Sequence, residues 1–110
     1  MNVIESLRNF TNERDWQQFH DPKNLTMLAA SEVGDLGALF RWVPTEAADT
    51  FAATPEHRAK IAAEIADIGI ALLLLCDRMD LDLVDEIVRK IEVNRQNYPS
   101  NDSTGRADRK

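Results

Sequence analysis

Ile61-Ala-Ala-Glu-Ile-Ala-Asp-Ile-Gly-Ile-Ala-Leu-Leu-Leu-Leu-Cys76 decides the fold, because every residue in it except Glu64 and Asp67 is apolar or glycine. A helix that is apolar all round belongs inside a structure. Its start is well marked: Thr54 suits the N-cap, Pro55 the first helical position and Glu56 the first turn. From there the pattern predicts one helix to about Met79, nearly 40 Å long at about 1.5 Å per residue. Glu64 and Asp67 are three residues apart and share one of its faces.

Outward from this helix, the same device occurs upstream. Leu25, Leu28, Leu36, Leu39 and Phe40 recur at helical spacing and predict a helix over about 24–42, closed by Pro44. Glu32 falls on that stripe with Asp35 three residues later, so both acidic pairs are expected to point inward. A first helix is predicted over about 3–18, with Ile4, Leu7, Phe10 and Arg14 on one face, stopped at His20-Asp21-Pro22. The segment 43–53 is too polar and irregular to assign. Asp82 is expected to cap a fourth helix with Leu83, Ile87, Ile91 and Asn94 on one side, ended by Pro99. Residues 1–98 thus read as one all-α four-helix bundle, and residues 99–110 as a disordered tail.

Composition narrows the function. The chain has 110 residues, 44% of them hydrophobic, and a net charge of −6. That charge argues against a sequence-independent grip on nucleic acid and against an anionic membrane surface. It does not argue against a triphosphate, provided that divalent metal supplies the positive charge. The lone Cys76 cannot form an intrachain disulfide and is expected to be a buried, inert thiol. Residues 1–10 contain no apolar leader, and 61–76 is too short and too acidic to span a bilayer, so the expected compartment is the cytoplasm.

Four inward carboxylates must be neutralised by protons, by bases or by a metal. Ion pairs with Arg41, Lys90 or Arg95 would be the structural solution. Two matched pairs on two helices, with few bases nearby, favour metal instead. Oxygen ligands without histidine or cysteine suit Mg²⁺ or Mn²⁺. A ferritin-like di-iron site needs Glu-x-x-His, which two histidines, His20 and His57, do not supply. No Gly-rich phosphate loop is present. Magnesium held by a few carboxylates and substrate phosphates points to hydrolysis of a phosphoanhydride.

Glu32-Val-Gly-Asp35, followed after 28 residues by Glu64-Ile-Ala-Asp67, resembles the paired acidic signature of MazG-like nucleotide pyrophosphohydrolases. Glu13-Arg-Asp-Trp16, Phe19-His20, Asn24-Leu25, Phe40-Arg-Trp42, Lys90 and Asn94-Arg-Gln-Asn-Tyr-Pro99 resemble its dCTP pyrophosphatase branch. The resemblance covers about residues 5–99. It implies assembly as a dimer or a dimer of dimers, and cleavage of a nucleoside triphosphate to monophosphate and pyrophosphate. It implies Glu32, Asp35, Glu64 and Asp67 as magnesium ligands, with Glu32 or Glu64 also orienting or deprotonating the attacking water. Lys90 and Arg95 would neutralise phosphate oxygens, and Asn94 would lie near the sugar and phosphates. Trp16 and Trp42 would face the base, with His20 and Asn24 at the same entrance.

The pattern departs from the family at two positions. Asp35 stands where these relatives usually have glutamate, and Ala71 where dCTP-preferring ones carry tyrosine. The expected role is house-cleaning of dCTP-like or modified deoxynucleotides. Phosphoribosyl-ATP or dUTP as substrate, or a non-catalytic helical dimerisation module, are the alternatives. Glu46, Asp49, Asp77, Asp80 and Asp85 are read as solvent-facing.

Overall fold

In the computed structural model, residues 2–100 are described, and they form helices, turns and no strand. Residues 101–110, most of the tail expected to be disordered, lie outside the described residues. Five α-helices are present among the described residues: α1 (Val3–Glu13), α2 (Pro22–Phe40), α3 (Ala48–Ala53), α4 (Pro55–Arg78) and α5 (Leu83–Asn97), with short 3₁₀ turns at Gln17–Phe19 and Thr45–Ala47. The four long helices are those the periodicity predicts, and the short α3 occupies the segment left unassigned. No described helix is long and apolar enough to cross a membrane.

The chain divides into two compact units, Met1–Asp80 and Leu81–Lys110. In the first, α2 and α4 pack along each other, and α1 and α3 pack on α4. The inward face of α2 is Leu25, Ala29, Glu32, Leu36 and Phe40, and that of α4 is Ile61, Glu64, Ile68, Ala71 and Leu75. Steps of three and four residues put each glutamate on the packed stripe of its helix.

Local chemistry explains the boundaries. The first helix ends at Glu13, earlier than predicted, because Asp15 adopts a left-handed φ of 56°. The Trp16 amide then donates to the Thr11 carbonyl (3.0 Å) and the Asp15 amide to Asn12 (3.1 Å), a Schellman closure with aspartate where glycine is usual. Pro22 starts α2 at its first position rather than merely ending α1. The Asp21 carboxylate accepts from the Asn24 amide at 2.8 Å as its cap. Thr54 occupies the predicted cap position of α4, yet its hydroxyl donates to the Phe51 carbonyl and meets His57 Nδ1 at 2.7 Å. His57 in turn stacks on Phe51 at 3.9 Å, which ties α3 to α4.

Burial departs from the expectation of a helix enclosed on every side. Only Leu25 and Ala71 are fully buried apolar residues among those described. On α4, Ile65 is 56% exposed, and on α2 Met27 and Val33 are 57% and 52% exposed. One chain covers one side of the α2–α4 pair and leaves the other open. Cys76 is half-buried rather than buried.

In the second unit, Asp82 caps α5 as predicted, accepting from the Asp85 amide at 2.9 Å. Arg89 pairs with Glu86, and Arg95 with Glu92, within the helix. Val84, Ile87, Val88 and Ile91 are exposed along it.

Candidate metal centre

The facing stripes of α2 and α4 bring carboxylates into one cluster. Glu32, Asp35 and Glu64 each offer an oxygen within 4.8 Å of the others. Glu32 and Glu64 are half-buried, whereas Asp35 and Asp67 are exposed at the rim, less inward than the sequence suggests. Asp67 stands outside the tight triangle. It is nonetheless the neighbouring charge that acts most strongly on Glu32.

The electrostatics are those of a site short of positive charge. The Glu32 carboxyl is held above its ordinary pKa, first by burial and then by the charges of Asp67, Asp35 and Glu64. Glu64 Oε2 is buried with no hydrogen-bond partner. Among the described residues of the first unit, the ion pairs involve none of the four acids. The ion-pair solution to the buried charge is therefore not the one adopted there. An orphaned buried carboxylate oxygen beside two further carboxylates is a donor set that fits a hard divalent cation.

The raised Glu32 pKa has a stability consequence with a definite sign. A carboxyl whose folded pKa exceeds its unfolded value contributes stability below the unfolded value, and loses it as pH rises through the folded one. In metal-free solution Glu32→Gln should therefore be more stable than the parent at neutral pH. That advantage should shrink as pH falls through the carboxylate range. Denaturant midpoints across that range check it, and a constant difference would contradict it.

One helical turn from the acids lies an apolar cavity of about 360 Å³, lined from α1, the following turn, α2 and α4 by Phe10, Thr11, Trp16, His20, Leu28 and Ile70 among others. Leu28 precedes Glu32 by four residues and Ile70 follows Asp67 by three, rises of roughly 6 and 4.5 Å. Within one unit, then, an apolar chamber and an acidic cluster lie side by side.

The other candidates are placed as follows. Trp16 and His20 come together in the cavity wall. Asn24 sits at the start of α2, where its amide donates to the Phe19 carbonyl (3.1 Å) and to Asp21 Oδ2 (3.0 Å), so that it holds the turn beside His20. Trp42 is 87% exposed and does not line the cavity. Lys90, Asn94 and Arg95 lie exposed on α5 in the second unit. Ala71 is fully buried and lines no part of the cavity. The sequence reading missed Phe10, Leu28 and Ile70 as cavity walls. Their only signal was membership of apolar stripes, which core residues share.

No family model matches the chain. It is 33% identical to a pyrophosphatase from Archaeoglobus fulgidus whose crystal structure superimposes with a TM-score of 0.81, over 88% of this chain and 89% of that one. The chain belongs to the MazG-like nucleotide pyrophosphohydrolases. This MazG-like chain is also 42% identical over 98 residues to dCTP pyrophosphatase 1 of Bos taurus, and 37% identical over 91 residues to that of Homo sapiens. These stretches are 89% and 83% of the chain but 58% and 54% of the relatives, so it spans little more than half their length. The all-α fold and the family are those that the paired acidic signature and its flanking aromatics suggest.

Proposed function

We propose that this protein hydrolyses a (deoxy)nucleoside triphosphate to the monophosphate and pyrophosphate with the help of Mg²⁺, Mn²⁺ being a substitute. The observation that carries the proposal is the apolar chamber set one helical turn from an acidic cluster that forms no ion pair among the described residues. A nucleotide has the same two parts, a flat apolar base and a polyanion that arrives with divalent metal. The names of the bovine and human relatives make dCTP the first substrate to try.

Glu32, Asp35 and Glu64 would hold the metal, with Asp67 beside them. When bound, the metal supplies positive charge against the phosphate oxygens. Glu32 or Glu64 would also orient or deprotonate the attacking water, as the resemblance implies. Trp16 and His20 would receive the base in the cavity, and Lys90, Asn94 and Arg95 are assigned to phosphates and sugar by the resemblance. Trp16→Ala should raise KM for dCTP by about tenfold, the size expected for one lost base–aromatic stack, with a smaller change in kcat. An unchanged KM would remove the base from this cavity.

The open side of the α2–α4 pair supports a homodimer or homotetramer. Ile65 and Val33, more than half exposed, would be covered by a second copy. The reaction class is tested by incubating the protein with a panel including dCTP, dUTP and phosphoribosyl-ATP, with Mg²⁺ and with chelator. Magnesium-dependent pyrophosphate release supports the reading. Orthophosphate release, or release of neither, overturns it.

A further inference from the structure

Asp77, read from the sequence as solvent-facing, is half-buried and joined to Arg8 by two hydrogen bonds, Nε to Oδ2 at 3.0 Å and Nη2 to Oδ1. This paired geometry is the strongest that a guanidinium and a carboxylate adopt. The Arg8 guanidinium draws the Asp77 carboxyl below its ordinary pKa. The other ion pairs among the described residues join neighbours within four positions, whereas this one spans 69 and links α1 to α4. Elsewhere α1 is lightly held. Only Thr11 of that helix is buried, and Val3 and Phe10 are 61% and 45% exposed.

The end of α1 just beyond Arg8 is built as one piece. Thr11 Oγ1 donates to the Arg8 carbonyl at 3.1 Å, and the Thr11 carbonyl accepts from the Trp16 amide at 3.0 Å. Phe10 meets Trp16 edge-on at 5.6 Å, and the Arg14 guanidinium lies 3.7 Å over the Phe10 ring. Phe10, Thr11 and Trp16 line the apolar cavity from α1 and the turn after it, and Leu28, Ile70 and Leu74 line it from α2 and α4. Asp77 sits three residues beyond Leu74 on α4.

We infer that Arg8 and Asp77 are positioning residues, a clamp that sets the spacing of the two cavity walls and through it the affinity for the substrate's base. This rests on the cavity receiving the base, as proposed above. Neither residue lines the apolar cavity; both line a smaller cleft that shares Thr11, His20 and Leu74 with it, and the clamp acts on the base through Trp16 and Phe10.

The test uses Arg8→Ala, Asp77→Asn and the charge-swapped pair Arg8→Asp/Asp77→Arg in the full chain, with two readouts. Hydrogen–deuterium exchange over residues 3–19, without nucleotide, reads the clamp alone. Steady-state kinetics with dCTP read its consequence. Each single variant should exchange faster in this segment and raise KM about two- to fivefold, as suits a partly exposed pair, with kcat within twofold. The swapped pair should restore both. Exchange unchanged in the single variants would overturn the clamp whatever the kinetics. Faster exchange with unchanged KM would overturn its link to substrate, and the KM of Trp16→Ala, which tests the cavity's base-binding role by itself, tells that failure from a failure of the reading above. Failure of the swap to rescue would overturn the charge pairing as the cause.

Discussion

Glu64→Gln is expected to abolish pyrophosphate release while leaving a folded protein. The buried Oε2 of Glu64 has no hydrogen-bond partner, a cost that the fold alone does not justify. Glutamine keeps the shape, removes the charge and offers an amide hydrogen to the neighbouring carboxylates. Loss of an outer-shell partner costs a metal site roughly 10- to 100-fold. Loss of Glu64 itself should exceed that, with the melting temperature unchanged or raised. Near-normal turnover in this variant would remove Glu64 from the reaction. A collapse of the fold would instead assign it a structural role.

The second large effect is thermal. A cation that binds the folded chain and not the unfolded one stabilises it by about 2.7 kcal/mol at a hundred times its Kd. For a domain of this size that is a rise in melting temperature on the order of 10 °C. Titrating Mg²⁺ into the metal-free protein should give such a rise, with Mn²⁺ acting likewise and Na⁺ at equal ionic strength giving little. Glu64→Gln should abolish the response. Indifference of the wild type to Mg²⁺ would favour the acids as structural charge, in a helical module without catalysis.

Much of this was legible before the fold was seen. Glu32, Glu64 and their apolar neighbours follow helical periodicity closely enough that both faces could be drawn from spacing, and Asp82, Pro55 and Thr54 mark helix starts at the positions observed. The burial of the acids was overread, since apolar periodicity tells which side of a helix is covered and not by how many chains. Ile65 is exposed in a single chain although nothing in 61–76 distinguishes its face from that of Ile68. The early end of α1 turns on the left-handed Asp15, a conformation that sequence assigns to glycine more readily than to aspartate. The Arg8–Asp77 pair was illegible for a plainer reason. Two charges 69 positions apart carry no mark of each other until the helices are placed.

The most direct test is to run the reaction with dCTP and Mg²⁺ in ¹⁸O-labelled water and follow the products by ³¹P NMR. Attack at the α-phosphorus predicts dCMP carrying the label and unlabelled pyrophosphate, with neither formed by Glu64→Gln or in chelator. Label in pyrophosphate, release of orthophosphate, or turnover that survives chelation would contradict it.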